Sequence, residues 1–169
     1  MPFSLIPRAR CRSIYELDGA ALYRHGVRLL LVDLDNTISA YHNAHPTEEL
    51  RAWVAALRAA GVEPYILSNS RKPTRVGEFA GALGVPFRRR AGKPKRGGFL
   101  AALEEMNTSP GEAIMVGDQI FTDILGANRA GITPILVRPL RMDSIFRILR
   151  YGLETPFRLL GGPWRAWPN

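Results

Sequence analysis

Short apolar runs recur along the chain, and segments with helical spacing of apolar residues lie between them. The apolar runs predict five β-strands, at residues 28–35, 64–69, 85–87, 112–118 and 133–139. The helical spacing predicts helices after Pro46, over 76–83, around Phe99 and over 122–130. Because unbroken apolar strands are typical of a sheet covered on both faces, the sequence predicts an α/β fold of three layers with a central parallel sheet of about five strands.

The chain is predicted to divide after residue 140. Residues 1–140 are expected to form the α/β core with an N-terminal lead-in, and residues 141–169 a C-terminal amphipathic helix and tail. One arc of that helix would carry Met142, Ile145, Phe146, Ile148, Leu149 and Leu153, and the opposite side Asp143, Arg147, Arg150 and Glu154. This pattern fits a terminal helix packed on its own sheet, and it also fits an interfacial helix with an arginine fringe.

Polar residues stand at the ends of the predicted strands. Asp33 and Asp35 end the first strand with one residue between them, so their side chains point to the same side of an extended chain. The other strand ends supply Ser68, Asn69, Lys93 and Asp118. In open parallel sheets ligands bind beyond the carboxyl ends of the strands, so these groups are expected to converge on one site. Taken alone, the Asp-Leu-Asp sequence also fits a turn or a helix cap.

The net charge of +8 comes from one part of the sequence. Residues 71–96 contain nine basic side chains and one acidic one, whereas bases and acids balance over the rest of the chain. Charge of one sign in one segment is typical of a protein with an anionic partner such as phosphate, nucleic acid or an acidic membrane. The alternative, an ordinary solvated face, is less favoured because acidic residues are nearly absent from the segment.

Composition indicates a cytoplasmic protein. The single cysteine, Cys11, cannot form an intramolecular disulfide, and no apolar stretch approaches the roughly 20 residues that span a bilayer. The first residues lack the apolar region of a secretory signal. In the tail, Trp164 and Trp167 suit a membrane interface and suit an untidy terminus equally well. A peripheral position at the inner membrane face is therefore a further hypothesis.

Four short motifs occur in the order found in one large enzyme family. They are DLDNT at 33–37, SNS at 68–70, Lys93-Pro94 and GDQIFTD at 117–123. They resemble the four motifs of the haloacid dehalogenase (HAD) superfamily of phosphohydrolases. More narrowly, these and the segments at 13–18 and 117–131 resemble the YqeG-type (HAD-IIIA) subfamily, whose eukaryotic relatives are mitochondrial phosphatidylglycerophosphate phosphatases. The resemblance implies a Rossmann-like HAD fold and phosphatase activity through an aspartyl-phosphate.

The resemblance assigns a chemical role to each acidic residue. Asp33 would attack phosphorus, and Asp35 would protonate the leaving oxygen and then deprotonate water. A Mg²⁺ ion would be held by Asp33, Asp118 and the backbone carbonyl of Asp35, with Asp123 as a further ligand or as support for the others. Asn36 stands where glycine is common in this family, and asparagine also tolerates unusual backbone angles.

The remaining motif residues are expected to bind substrate. Ser68 and Lys93 would hold the phosphoryl oxygens, and Lys93 would also offset charge in the transition state. Asn69 and Thr37 are candidate substrate contacts. Alternatively, Thr37 caps the following turn, and Lys93 is one more member of the basic run.

The spacing of the motifs leaves no room for a cap domain over the site. Eight residues separate Thr37 from the helix at Pro46, and 22 lie between Ser70 and Lys93. An open site admits large substrates, namely a protein, a nucleic acid end or a lipid head group. The resemblance favours hydrolysis of phosphatidylglycerophosphate to phosphatidylglycerol, with an anionic lipid head group as the partner.

Two other functions remain open at this stage. The first keeps the chemistry but takes a soluble phosphometabolite or a nucleic acid 3′-phosphate. Nucleic acid is disfavoured, because the basic segment has few aromatic residues for stacking on bases and no nucleic-acid module is evident. The second is a non-catalytic adaptor that binds acidic lipid or RNA, which would have no need for Asp33, Asp35 and Asp118 together.

Overall fold

The fold is built on one parallel sheet. The structure, a computed structural model, describes residues 4–39, 45–142, 144–160 and 162–163. Its strands are β1 (Ala9–Cys11), β2 (Leu29–Val32), β3 (Glu63–Leu67), β4 (Phe87–Arg88), β5 (Ala113–Gly117), β6 (Thr133–Val137) and β7 (Gly162–Pro163). They lie in the order β4-β3-β2-β5-β6-β1-β7, and all paired strands are parallel. The predicted three-layer α/β fold is confirmed.

The sheet has seven strands among the described residues rather than about five. The two additional strands, β1 and β7, are three and two residues long and lie at one edge. Their sequences, ARC and GP, contain no apolar run, so periodicity gives no signal for them. They are recognisable only by their pairing, in which Ala9 lies opposite Ile135 of β6 and Gly162 of β7.

Helices cover both faces of the sheet. They are α1 (Gly19–Arg24), α2 (Glu48–Ala59), α3 (Pro73–Leu83), α4 (Gly97–Glu105), α5 (Leu125–Ala130) and α6 (Ile145–Arg158). A π-helical turn, Ile120–Ile124, leads directly into α5. Helix α1 has no counterpart in the prediction. It begins at Asp18, whose side chain accepts a hydrogen bond of 2.7 Å from the amide of Ala21 and so satisfies a free donor of the first turn.

The central strand β2 shows why the sequence lacks a polar alternation. Leu30 and Val32 belong to the apolar cluster on one face of the sheet, whereas Leu29 and Leu31 belong to the cluster on the other. All four side chains are buried, so every position of the strand must be apolar. The rigid strand then ends at Asp33, whose amide still donates to the carbonyl of Val116 on β5 at 2.9 Å. Two well-packed layers therefore fix the position of the first candidate residue.

No additional domain interrupts this core within the described residues. The connection from α3 to β4 consists of Gly84 to Pro86, and the chain between β2 and α2 has few residues besides the undescribed 40–44. Gly84 ends α3 in the left-handed region, with φ of 65°, where a residue without a Cβ is favoured. Among the residues that the structure describes, none forms a cap domain over the carboxyl ends of the central strands.

Helix α6 turns its polar side, and not its apolar side, toward the core of the protein. Its apolar side chains Ile145, Phe146, Leu149 and Leu153 are exposed. Glu154, predicted on the solvent side, is completely buried, and Arg158 is buried beside it. The helix runs from Ile145 to Arg158, within the predicted segment 141–169. Of the predicted C-terminal features, Asp143, Trp164 and Trp167 lie outside the described residues.

Candidate active site

The carboxyl ends of β2, β3 and β5 bring the polar motif residues together. Asp33 follows β2, Ser68 follows β3 and Asp118 follows β5, and all three residues are buried. The turn after β2 is sharp, because Asn36 adopts a left-handed conformation with φ of 70°. Asparagine is one of the few residues with a side chain that tolerates these angles. Asn36 thus fulfils locally the conformational task that glycine performs in related motifs.

Lys93 lies at the centre of the site. Its Nζ is 2.6 Å from Oδ1 of Asp33 and 2.7 Å from Oδ1 of Asp123. The same ammonium donates to the carbonyl of Leu67 at 2.7 Å. The Lys93 side chain is 2% exposed, so these contacts replace its hydration. Lys93 is therefore separated from the solvated side chains of the basic segment.

Asn69 holds the backbone of Lys93 in place. Its Oδ1 accepts from the Lys93 amide at 2.8 Å, and its Nδ2 donates to the Lys93 carbonyl at 2.9 Å. Both polar ends of the amide are thus occupied by one residue of the neighbouring loop. The sequence predicts a substrate contact at this position, and the structure places the side chain on Lys93.

Three buried carboxylates form a compact acidic cluster. Asp33, Asp118 and Asp123 each offer an oxygen atom, and these oxygens lie within 4.8 Å of one another. Asp123 is on the π-helical turn, where its Oδ2 accepts from the amide of Gln119 at 3.2 Å. Its carboxylate packs against Gly117, and a Cβ at that position would overlap it. The glycine that begins the fourth motif therefore has a steric cause.

The electrostatics of this cluster favour a cation. Burial raises the pKa of Asp33, an effect that the ammonium of Lys93 opposes and the neighbouring carboxylates increase. Burial also raises the pKa of Asp118 to about 6, with a further contribution from Asp123. For Lys93, burial alone would lower the pKa, but the carboxylates of Asp123 and Asp33 outweigh it and raise the pKa. Three carboxylates share one buried ammonium, and hard oxygen donors in this arrangement fit a divalent ion such as Mg²⁺.

Asp35 lies apart from the acidic cluster. Its Oδ1 accepts from Nε of Arg75 at 2.9 Å, and Nη2 of Arg75 is 2.8 Å from the same oxygen. The Asp35 side chain is partly exposed, and Arg75 reaches it from α3. The structure thus places this carboxylate at the opening of the site. Arg75 was missed as a site residue, since in the sequence it is one of many bases in the segment 71–96.

The side chains of Thr37 and Asn36 both contact the carboxylate of Asp118. Oγ1 of Thr37 is 3.4 Å from Oδ1 of Asp118, and Nδ2 of Asn36 is 3.4 Å from its Oδ2. Thr37 is buried, so the structure places it as a donor that orients a carboxylate. Ser68 is also buried, and its Oγ accepts from the amide of Ser70 at 3.0 Å.

A buried ion pair on α6, formed by Glu154 and Arg158, contacts the backbone of the fourth motif. Nη2 of Arg158 donates to the backbone carbonyl of Asp118, and it is also 2.9 Å from Oε2 of Glu154. Oε1 of Glu154 accepts from the amide of Phe121 at 3.3 Å. Sequence reasoning missed this role, because a Glu and an Arg four residues apart on a helix usually mark a solvated face.

A cavity with basic side chains on its wall, here called the basic cavity, adjoins Lys93. It has a volume of about 640 Å³ and is lined by Asn69, Arg71, Arg90, Gly92 and Lys93. Two of these residues are exposed arginines from the loops that follow β3 and β4. A cavity with guanidinium groups on its wall offers hydrogen-bond donors suited to phosphate oxygens.

Comparisons with known proteins agree on one family. A sequence model of haloacid dehalogenase-like hydrolases matches residues 5–131. The chain is 31% identical over 155 residues to "Probable phosphatase YqeG" of Bacillus subtilis, covering 92% of this chain and 89% of that protein. It is 33% identical to phosphatidylglycerophosphate phosphatase 1, chloroplastic, of Chlamydomonas reinhardtii, covering 80% of this chain and 53% of that protein.

A solved structure supports the fold. The cobalt-bound form of the deoxy-D-mannose-octulosonate 8-phosphate phosphatase from Haemophilus influenzae superimposes with a TM-score of 0.50 at 10% identity. The match covers 79% of this chain and 92% of that one. At this identity the likeness shows the architecture alone.

Proposed function

Because the chain belongs to the haloacid dehalogenase-like hydrolases and is a phosphatase, we propose that it hydrolyses phosphatidylglycerophosphate to phosphatidylglycerol at the inner face of a membrane. The observation that carries the chemistry is the buried contact of Lys93 with Asp33 beside the acidic cluster. The substrate class is supported by the likeness to a phosphatidylglycerophosphate phosphatase and by the absence of a cap domain among the described residues. Without a cap, a head group can react while its acyl chains stay in the bilayer.

The proposed reaction runs in two steps on the two aspartates of the first motif. A carboxylate oxygen of Asp33 attacks phosphorus, the bond to the glycerol oxygen breaks, and Asp35 gives that oxygen a proton. Asp35 then takes a proton from water, which attacks the aspartyl-phosphate and releases inorganic phosphate. Asp35 must first leave Arg75, and the incoming phosphate, itself an anion, would compete for that guanidinium.

The other residues of the site would hold the reactants. Lys93 offsets charge that develops on the phosphoryl oxygens, and its buried position makes this interaction stronger than it would be in water. Asp33, Asp118 and Asp123 would hold Mg²⁺, which when bound polarises the phosphoryl group. Thr37 and Arg158 keep Asp118 in position, through its side chain and its backbone respectively.

The direct test is phosphate release from phosphatidylglycerophosphate dispersed in detergent micelles. We expect release that requires Mg²⁺ and is lost in a chelator, because three carboxylates around one ammonium need a further cation. Micelles are used so that the result does not depend on membrane docking. If the protein hydrolyses a small aryl phosphate but not the lipid, the substrate proposal is wrong. A soluble phosphometabolite and a 3′-phosphorylated oligonucleotide are then the next substrates to assay.

The basic cavity makes a separate prediction about substrate preference. Phosphatidylglycerophosphate carries a second phosphate, in a diester, and the arginines beside Lys93 would bind it. The double variant Arg71→Gln/Arg90→Gln is expected to raise KM for the micellar lipid by about tenfold, the effect of losing a hydrogen bond to a charged group. Steady-state kinetics on the lipid and on an aryl phosphate, which lacks a second phosphate, would measure the difference.

Arg89→Gln is the matched control for this prediction. Arg89 is exposed and adjacent in sequence to Arg90 but does not line the cavity. It removes one charge from the loop that carries Arg90, whereas the double variant removes two charges, so a change in log KM about half as large as that of the double variant would mean that only net charge matters. An equal effect of the double variant on both substrates would likewise exclude a subsite for the second phosphate.

A further inference from the structure

The outward face of α6 carries a row of large apolar side chains, here called the α6 stripe. It consists of Ile145, Phe146, Leu149 and Leu153. Phe146 is 79% exposed and Leu153 is 70% exposed, so neither contributes to the core. Single exposed apolar residues are common on protein surfaces, but a contiguous row at helical spacing marks a surface that is covered by something else.

The orientation of the α6 stripe is fixed by polar contacts on the opposite side of the helix. Glu154 is completely buried and is bonded to Arg158 and to the amide of Phe121. Arg158 in turn donates to the carbonyl of Asp118, and its guanidinium lies 4.1 Å from the centre of the Tyr151 ring. Turning the apolar side chains inward would break this network. The protein therefore presents the stripe to its surroundings as a fixed feature of the fold.

The segment that carries the α6 stripe contacts the loops of the candidate active site near both of its ends. Ahead of the helix, Nδ2 of Asn36 donates to the carbonyl of Arg141 at 3.0 Å, and its Oδ1 accepts from the Arg141 amide at 2.8 Å. Near the other end, Arg158 holds the carbonyl of Asp118. Asn36 and Asp118 belong to the loops that carry the acidic cluster. A surface that docks on the stripe would therefore lie beside the loops that bind substrate.

We propose that the α6 stripe docks on an anionic lipid surface, with its apolar side chains inserted among the head groups. This inference rests on the proposed function for its lipid substrate. The exposed Arg141 lies just ahead of the helix, and the whole chain carries a net charge of +8. Apolar side chains bordered by arginine are typical of helices that lie in a membrane interface. Within the part of the chain that the structure describes, no helix is long and apolar enough to cross a membrane.

Charge selects lipid over a second copy of this chain as the occupant. Two copies that met face to face through the α6 stripe would each carry a net charge of +8, with Arg141 beside the contact, and like charges oppose association. An anionic bilayer supplies the opposite charge and an apolar layer at once. The docking contact then presents phosphorylated head groups to an open site.

The test is co-sedimentation of the full chain with vesicles of phosphatidylcholine alone and with vesicles that also contain phosphatidylglycerol. We expect binding to the anionic vesicles that weakens as salt is added. The double variant Phe146→Gln/Leu149→Gln should lower the partition coefficient at least about tenfold, because burial of one large apolar side chain alone is worth that much. Leu100→Gln, which changes an exposed leucine on α4, is the matched control and should bind as the wild type does.

The inference is overturned if the wild-type protein does not bind anionic vesicles, or if the double variant binds them with the same partition coefficient as the wild type. Equilibrium sedimentation adds a third outcome. If the wild type is a dimer and the double variant a monomer, the stripe covers a second copy and the lipid inference is wrong.

The vesicles contain no phosphorylated substrate, so this result is independent of the micelle assay. Vesicle binding without hydrolysis of phosphatidylglycerophosphate would support docking by the α6 stripe and would contradict the proposed substrate. Hydrolysis in micelles without docking would do the reverse.

Discussion

Replacing Asp33 with asparagine is expected to lower phosphate release from lipid and aryl phosphate alike by at least about 10⁴-fold, the scale of losing a nucleophile. The amide has nearly the same shape as the carboxylate but cannot form an acyl phosphate. Lys93 would keep its contacts with Asp123 and the carbonyl of Leu67, so the surroundings of the site should persist. Measurement of initial rates on both substrates at saturating Mg²⁺ would give the ratio.

Asp18→Asn is the matched control for the nucleophile prediction. Asp18 caps α1 away from the motif residues, and asparagine caps a helix about as well as aspartate does. This variant makes the same chemical change, so its rates should equal those of the wild type. A rate for Asp33→Asn within tenfold of the wild type would mean that Asp33 is not the nucleophile. Asp35 would not replace it without a rearrangement, since its carboxylate is engaged by Arg75.

The sequence predicted the central sheet well because burial on both faces constrains every position of its strands. Leu29 to Val32 had to be apolar, and the strand ends then followed from the points where charge first appeared. The membership in the HAD superfamily was likewise predictable from four short motifs in order. Strands β1 and β7 and helix α1 were not, because they owe their existence to pairing and capping rather than to a repeating pattern.

Contacts between side chains and distant backbone atoms were beyond the reach of the pattern. The motif resemblance makes Asn69 a candidate substrate contact but does not indicate that both its polar atoms bond the backbone of Lys93. The same limit explains α6. Amphipathicity shows that a helix has two different faces. Which face turns inward depends on the backbone donors and acceptors of the neighbouring loops, which need hydrogen-bond partners. Here the free amide of Phe121 and the carbonyl of Asp118 lie beside the helix, and Glu154 and Arg158 satisfy them.

Replacing Arg158 with methionine is expected to lower the free energy of unfolding by about 3–5 kcal/mol, the usual cost of removing one partner of a buried ion pair. Glu154 is completely buried, so its carboxylate would lose its guanidinium partner without gaining water. Urea denaturation followed by circular dichroism would measure the change. Arg89→Met, at an exposed position, should shift stability by no more than about 0.5 kcal/mol.

The double variant Glu154→Gln/Arg158→Met separates the two tasks of Arg158. Glutamine is neutral and can still accept from the amide of Phe121, so most of the lost stability should return if the unpaired charge is the cause. Phosphate release should be slower than in the wild type for both Arg158→Met and the double variant, because in each the carbonyl of Asp118 lacks the donor that holds the metal-binding loop. If the double variant remains as unstable as Arg158→Met, the bond to the Asp118 carbonyl outweighs the ion pair. Helix α6 would then stabilise the fold mainly through that loop.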